Sequence, residues 1–355
     1  MPIGLLVPVV AVGWGAACAL TCWRRLGVFA RVPALVANEL PFAAGYLLIA
    51  SLALALAQGD LDMVGGAVVG SAGLVVLVGL VVIIRRGLRA HRALGNPDPP
   101  RRPWHRILCA PLPAVRRDVT RARNLSYARG RRRRLDVYCR RDRPSNAPVV
   151  VHFHGGGFHS GNKNREARPL IGHLVSTGKV CVSANYRLQP HVSRADQVAD
   201  VQAAIEWVKV HAAAYGGDPS RLFLVGSSAG VYLAIDALNH GASGVAGLIC
   251  RYGYYGDLAP ARVLPPMLVI HGENDLYVRP ATVRAFVDRV RACSVAPVEY
   301  RELPGAHHDF DLYESIRSAA VNVAAQSFID RIAGQSLPGP PGLPCVRRSL
   351  DGEVG

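Results

Sequence analysis

The apolar residues of this chain change rhythm part-way along it. Ile3–Cys22, Leu40–Gln58 and Met63–Ile84 are apolar runs of 19 to 22 residues with no charged side chain inside them. As helices rising about 1.5 Å per residue, each is long enough for a hydrocarbon core of about 30 Å. From Leu135 onward the apolar residues come in short runs: Leu135–Cys139, Val149–Phe153, Val180–Asn185, Leu222–Val225, Gly247–Cys250, Met267–Ile270 and Val298–Arg301. Between these candidate strands lie stretches with helical spacing, among them Asp200–Ala214, Ala281–Ala292 and Ser315–Ile332. Such alternation predicts an α/β fold, a mostly parallel sheet with helices on both faces, preceded by about three transmembrane helices.

Charge sharpens this division. Arg85 to Arg143 holds 19 arginines against four aspartates, which is +15 of the chain's net +16. Basic residues directly after an apolar helix mark the cytoplasmic edge of a membrane. Arg24, Arg25 and Arg31 lie between the first two runs, and Asp60 and Asp62 between the second and third. Both signals place the N-terminus outside and everything after residue 85 in the cytoplasm. No Lys or Arg precedes the first run, so it reads as a retained helix rather than a cleaved leader. The expected organisation is a transmembrane region (1–86, with helices at 3–22, 40–58 and 63–84) and a basic Pro/Arg-rich connector (87–130). An α/β domain (131–335) and a disordered tail (336–355) follow. Residues 94–130 read as irregular. Arg131–Arg134, in RGRRRR, are a candidate grip for anionic lipid headgroups, weighed against a solvated charge run, which is the favoured reading. No aromatic residues interleave these arginines, so nucleic acid is not an expected partner. The eight cysteines show no metal spacing and read mostly as free thiols.

Two glycine-rich stretches carry the chemistry. LFLVGSSAG (222–230) runs a strand into G-x-S-x-G and then a helical pattern, VYLAIDAL. That context makes a sharp turn exposing the Ser228 hydroxyl, with the Ala229 N–H at a helix N-terminus beside it. A serine needs a base, and the base an orienting carboxylate. Glu273 and Asp275 in HGENDLYV (271–278), and His307 and His308 in LPGAHHDFDLY (303–313), are the candidates downstream. Upstream, VVVHFHGGGF (149–158) ends a strand in three glycines. Residues without Cβ atoms let backbone N–H groups approach a developing oxyanion closely.

Seven pieces in order resemble the hormone-sensitive-lipase-like carboxylesterases (HGGG / GxSxG) of the α/β-hydrolase superfamily: LDVY (135–138), HGGGF (154–158), NYRLQP (185–190), DVQAAIEWV (200–208), GGDPSRLFLVGSSAG (216–230), HGENDLYV and GAHHDF (305–310). The LPGAHHDFD stretch is also similar to membrane-linked mycobacterial esterases. The apolar N-terminal part lies outside the resemblance. It implies that Ser228 is the nucleophile, Asp275 the orienting acid and His308 the base. It implies an oxyanion hole from Gly156, Gly157 and Ala229, and a structural role for His154 and Gly155. Glu273 and His307 are the rivals; His152, His159 and His271 read as packing or loop histidines.

The expected activity is hydrolysis of a small-molecule or lipid carboxylic ester by a membrane-anchored serine esterase or lipase, with no cofactor and no metal. An amide hydrolase of arylformamidase or peptidase type on the same triad, and a catalytically silent membrane scaffold, are the alternatives. Three departures from the resemblance matter. Val231 stands where those esterases usually carry Gly and would crowd its helix against the sheet. His191 stands where they usually carry Glu, which removes a local salt bridge. Only the ten residues Asp257–Pro266 precede the strand at Met267, where many relatives insert a helical lid. The 94–130 connector, or the membrane surface, is expected to cover the site instead.

Overall fold

The computed structural model describes residues 3–21, 27–96, 98–112, 116–142, 144–259 and 264–334. The tail at 336–355 lies outside the described residues. Four helices open the chain: α1 (Ile3–Leu20), α2 (Val28–Glu39), α3 (Pro41–Ala57) and α4 (Val64–Ala93). By length and composition α1 and α4 can each cross a membrane, while α2 and α3 pass only as a pair, bent by 90°. The bend follows from the sequence: Pro41 opens α3, and a residue before proline is disfavoured in helical conformation. Leu40 accordingly takes φ −122° and ψ 43°. Two expectations change here. The Arg31 stretch is a helix, not a loop. α4 continues past Ile84 through RRGLRAHRA, whose Arg and Ala residues favour helix.

Eight strands form one sheet: β1 (Val119–Ser126), β2 (Arg134–Arg140), β3 (Ala147–Phe153), β4 (Val180–Ala184), β5 (Gly217–Ser227), β6 (Val245–Arg251), β7 (Met267–Gly272) and β8 (Val298–Leu303). Their spatial order is β1-β2-β4-β3-β5-β6-β7-β8. β1 and β2 pair antiparallel, as do β2 and β4; the rest are parallel. Period-two alternation sorts the side chains. Val149, Val151 and Phe153 point to the face covered by α7 (Arg194–His211), α8 (Ala229–Asn239) and α9 (Pro280–Cys293). Val150, Phe223 and Val225 point to the opposite face, under α6 (Arg168–Ser176) and α10 (Ile316–Gly334). Ala90 and Leu94, from the end of α4, join this second core. The N-terminal helices are therefore packed onto the sheet unit.

The stretch 94–130 is not irregular throughout. It contains α5 (Trp104–Cys109) and the edge strand β1. The arginine-rich β1 is held by Asp136 of β2, a fully buried carboxylate. Asp136 pairs with Arg121, accepts the Asn124 N–H at 2.7 Å and pairs with Lys163 Nζ at 2.9 Å. The strand is hard to see in the sequence because its partners, not its apolar pattern, decide it. The arginine run at 131–134 is also partly accounted for inside the fold. Arg132 Nη2 donates to Gly161 O at 2.7 Å, and Arg133 Nε donates to Asp200 at 2.7 Å. These two do not extend freely toward a headgroup.

Val231 does not crowd its helix. Its side chain is fully buried, and a Cβ on Gly253 would lie 2.9 Å from it, so Gly253 supplies the room. The NYRLQP stretch is tied down without an acid at 191: Arg187 donates to both carboxylate oxygens of Asp200, at 2.8 and 2.9 Å.

Candidate active site

Ser228 sits between β5 and α8 with φ 50° and ψ −116°, a conformation costly for a residue with a side chain. Two glycines make the turn sterically feasible. A Cβ on Gly226 would lie 2.6 Å from the Val231 backbone, and one on Gly230 only 2.2 Å from Phe153 O. The turn is pinned from both sides: Ser228 N–H donates to Arg251 O at 3.1 Å, and Ser228 O accepts from Val231 N and Tyr254 N at 3.0 and 3.1 Å.

The loops after β7 and β8 bring the other two groups. Asp275 Oδ1 accepts the N–H groups of Tyr277 and Val278, at 2.8 and 2.9 Å. That leaves Oδ2 facing His308 Nδ1 at 2.7 Å. A carboxylate only accepts, so Nδ1 carries the proton and Nε2 of the neutral ring is an acceptor. Ser228 Oγ lies 3.0 Å from that Nε2. Burial works against a charged imidazole, but the hydrogen bond and charge of Asp275 outweigh it, and the His308 pKa is raised above 6.5. The arrangement can take a proton from a serine hydroxyl and hold the resulting imidazolium.

The two rivals are placed elsewhere. Glu273 accepts the Gly305 N–H at 2.8 Å and so holds the β8 loop. His307 is buried, and burial together with the Arg317 charge pushes its pKa down to about 4. His152 lies in the core between the hydroxyls of Ser183 and Ser227, and His271 donates from Nε2 to Val278 O at 2.8 Å. Both are held inside the fold, and His271 Nε2 also lies 3.4 Å from Asp275 Oδ2.

The glycine loop borders the same cavity. Gly156, Gly157, Ser228, Ala229 and His308 line an open pocket of about 450 Å³, with Phe158, Tyr254, Tyr277 and Arg165 on its walls. Gly156 has φ 115° and would place a Cβ 2.2 Å from Ser160 O, so glycine is required there. His154 stacks on Tyr186 at 4.3 Å, and Tyr186 donates to His154 O at 2.8 Å. Gly155 N–H donates to the buried Glu166 at 2.8 Å. Burial and the negative charges of Asp309 and Asp311 raise the Glu166 pKa to about 7.

Residues 135–244 match the BD-FAE family. Among curated relatives, the chain is 32% identical to the "Probable carboxylic ester hydrolase LipM" of Mycobacterium tuberculosis, across 64% of this chain and 65% of that protein. It is also 32% identical to "Esterase LipQ" of the same organism, across 59% and 61%. The match thus spans somewhat under two thirds of these relatives. Esterase B from Lactobacillus rhamnosis superposes with a TM-score of 0.53 at 20% identity, covering 62% of this chain and 89% of that one. Thermogutta terrifontis esterase 2 does so at 0.52 and 25%, covering 61% and 97%. The chain has the α/β-hydrolase fold. It resembles the esterases of that fold in sequence and in structure.

Around this α/β-hydrolase site lie residues that the motifs do not point to. Arg251, at the end of β6, is fully buried. It pairs with Asp311 and donates to Ser227 Oγ at 2.8 Å, one residue before the nucleophile candidate. Tyr252 donates to Asp311 at 2.5 Å and meets His308 edge-on at 4.7 Å. A second aspartate two residues beyond Asp309 was the available signal. The expected cover by the 94–130 connector is corrected too: no described residue of that stretch lines the cavity. Instead Arg31 of α2 lies 3.8 Å over the ring of Tyr277, which itself meets His308 at 5.0 Å. Residues 260–263 of the short Asp257–Pro266 connection are outside the described residues.

Proposed function

We propose that this protein is a membrane-anchored serine hydrolase that cleaves carboxylic esters through an acyl-enzyme on Ser228. The observation that carries the reading is the continuous chain Ser228 Oγ–His308–Asp275, at 3.0 and 2.7 Å, opening onto a cavity bordered by the glycine loop. His308 takes the hydroxyl proton as Ser228 attacks the acyl carbonyl, then passes it to the leaving alcohol. Amide groups of Gly156, Gly157 and Ala229 receive the developing oxyanion, a contribution worth about 2.7–4 kcal/mol per donor. Water then releases the acid by the same base. His154, Gly155 and Glu166 hold the glycine loop in place. Similarity to proteins named esterases supports an ester substrate.

The anchor is α1, α3 and α4, with the α/β-hydrolase unit on the cytoplasmic side. The arginines of Arg85–Arg143 support that side. With Arg132 and Arg133 bonded inside the fold, Arg131 and Arg134 are what the run offers to anionic headgroups. The organisation is read as a transmembrane region to residue 86, a connector that also supplies β1, and the α/β-hydrolase unit beyond.

Labelling the membrane-extracted full chain with a fluorophosphonate, alongside turnover of short-chain aryl esters, tests the reaction. The wild type is expected to label and turn over, and Ser228→Ala to do neither. Equal labelling of the two would sink the assignment of Ser228; an unlabelled, inactive wild type would sink the hydrolase itself.

A further inference from the structure

The β8 loop carries His308, and a helix from the other end of the chain grips it. Asn38, in the last turn of α2, donates from Nδ2 to Gly305 O at 3.0 Å, in a buried bond spanning 267 residues of sequence. Its neighbour Glu39 is buried as well. Glu39 Oε1 accepts from Arg317 Nη1 at 3.2 Å, and Oε2 accepts from Ser315 Oγ at 2.5 Å. Arg317 also donates to Asn38 O at 3.1 Å, and its Nη2 lies 3.8 Å from where a Cβ on Gly305 would stand. Three groups therefore converge on Gly305, three residues before His308: the Asn38 amide on its carbonyl, Glu273 on its N–H, and the Arg317 guanidinium behind it. Higher on the same helix, Arg31 covers Tyr277, whose N–H holds Asp275. Both loops that orient the imidazole are thus contacted by one short helix, lying between two apolar ones.

We propose that Asn38 is a positioning residue for His308, with the Glu39–Arg317 pair fixing α2 in the place from which Asn38 acts. This rests on the reading of the chain as a serine hydrolase. Gly305 takes φ 66° in the fold, a conformation that glycine reaches among many others when nothing holds it. Held by its carbonyl and its N–H at once, it fixes the height of His308 above Ser228. A base displaced by even a fraction of an ångström loses rate steeply, since positioning makes the proton transfer effectively intramolecular. The α2 helix is then part of the catalytic scaffold, not a spacer between membrane helices.

The test uses the full chain in detergent, comparing wild type, Asn38→Leu, Asn38→Ala and Ala34→Gly. Ala34 is buried on α2 and touches neither loop in the bonds described, so Ala34→Gly weakens the helix without cutting the Asn38 bond. The readout is the pH dependence of the fluorophosphonate labelling rate, beside kcat and KM for a short-chain ester. Both Asn38 variants are expected to lose about tenfold in labelling rate and kcat, with KM little changed. Their rising pH limb should move to lower pH. A looser loop weakens the Asp275 bond that raises the His308 pKa, while the burial that lowers it remains. The ionisable groups around His308 include Asp275, Asp309, Glu166, His271, His307, Tyr252 and Tyr277, with the cations Arg165 and Arg31 beside Asp309 and Tyr277, and these variants alter none of them. Ala34→Gly should lower thermal stability without moving the limb. A labelled wild type with an unmoved limb and unchanged kcat in both Asn38 variants would overturn the inference alone. The same shift in Ala34→Gly would overturn it too, since general loosening would then suffice. A wild type that does not label would overturn the hydrolase reading, and the inference with it.

Discussion

Among the described residues two arginines are almost wholly buried, and they hold different things. Arg251 pairs with Asp311, 60 residues away, inside the α/β-hydrolase unit, and through Ser227 it stiffens the turn that presents Ser228. Arg317 pairs with Glu39, 278 residues away, across the seam between α10 and α2. The first cluster is compact: Arg251, Asp311, Tyr252 and Ser227 bond to one another around a strand end. The second is less complete, since Arg317 leaves both Nε and Nη2 without a partner among the described residues, where Arg251 leaves Nε alone. Burying an ion costs several kcal/mol unless its partners are well placed. One buried charge is thus held within the candidate site, and the other at the joint that brings a second helix to it.

The largest effect should come from the centre that both clusters serve. Asp275→Asn removes the carboxylate but keeps the shape, and kcat is expected to fall about 10³–10⁴-fold. The sign of the pH change follows as well. In the wild type the raised His308 pKa means that the neutral base is lost as pH falls through a value above 6.5. Without Asp275 the burial that lowers the pKa is opposed only by the lesser pull of the Asp309 and Glu166 charges, so the limb should move to lower pH. A limb that stayed in place would show that another group sets it, Glu166 being the first suspect with its pKa near 7.

Next in size, Asp311→Ala leaves Arg251 buried without its carboxylate. A loss of about 3–5 kcal/mol is expected, read as a fall in the thermal midpoint together with slower labelling of Ser228. Unchanged labelling in the folded fraction would break the link between Arg251 and the nucleophile turn. Glu39→Leu should cost somewhat less, about 3 kcal/mol, because Arg317 keeps the Asn38 carbonyl. The double variant Glu39→Leu/Arg317→Met should recover most of that stability, since well-packed apolar groups often replace a buried pair at little cost. No recovery would mean that the seam depends on the charges and not on packing. The smallest effect belongs to Arg31→Ala, which removes a cation–π contact worth about 0.5–1 kcal/mol at a partly exposed site. It should change KM for a short ester by no more than a few-fold, measurable by initial rates.

Much of this was legible along the chain because it is local. Apolar runs and period-two strands mark positions by neighbouring residues alone, so seven of the eight strands and the membrane-length helices α1 and α4 could be read directly. Ser228 was legible for the same reason: a strand, a five-residue turn and a helix are one contiguous piece. β1 was not, because Arg121 and Asn124 look like solvated polar residues until Asp136 is known to receive them. The choice between His307 and His308 needed a resemblance to settle an expectation, since both neighbours satisfy any spacing rule; their surroundings differ only in three dimensions.

The alternation of strands and helices, the apolar character of the first 84 residues and the chemical types available to a site can be read along the chain, since each depends on side chains within a turn or two of one another. It takes the tertiary structure to bring Arg31, Asn38 and Glu39 to the loops around His308, to join Arg251 and Asp311 beneath the Ser228 turn, and to keep the described residues of 94–130 out of the cavity lining. Those facts depend on where chain segments hundreds of residues apart come to rest, and no local pattern encodes a contact whose two halves look, separately, like ordinary polar residues.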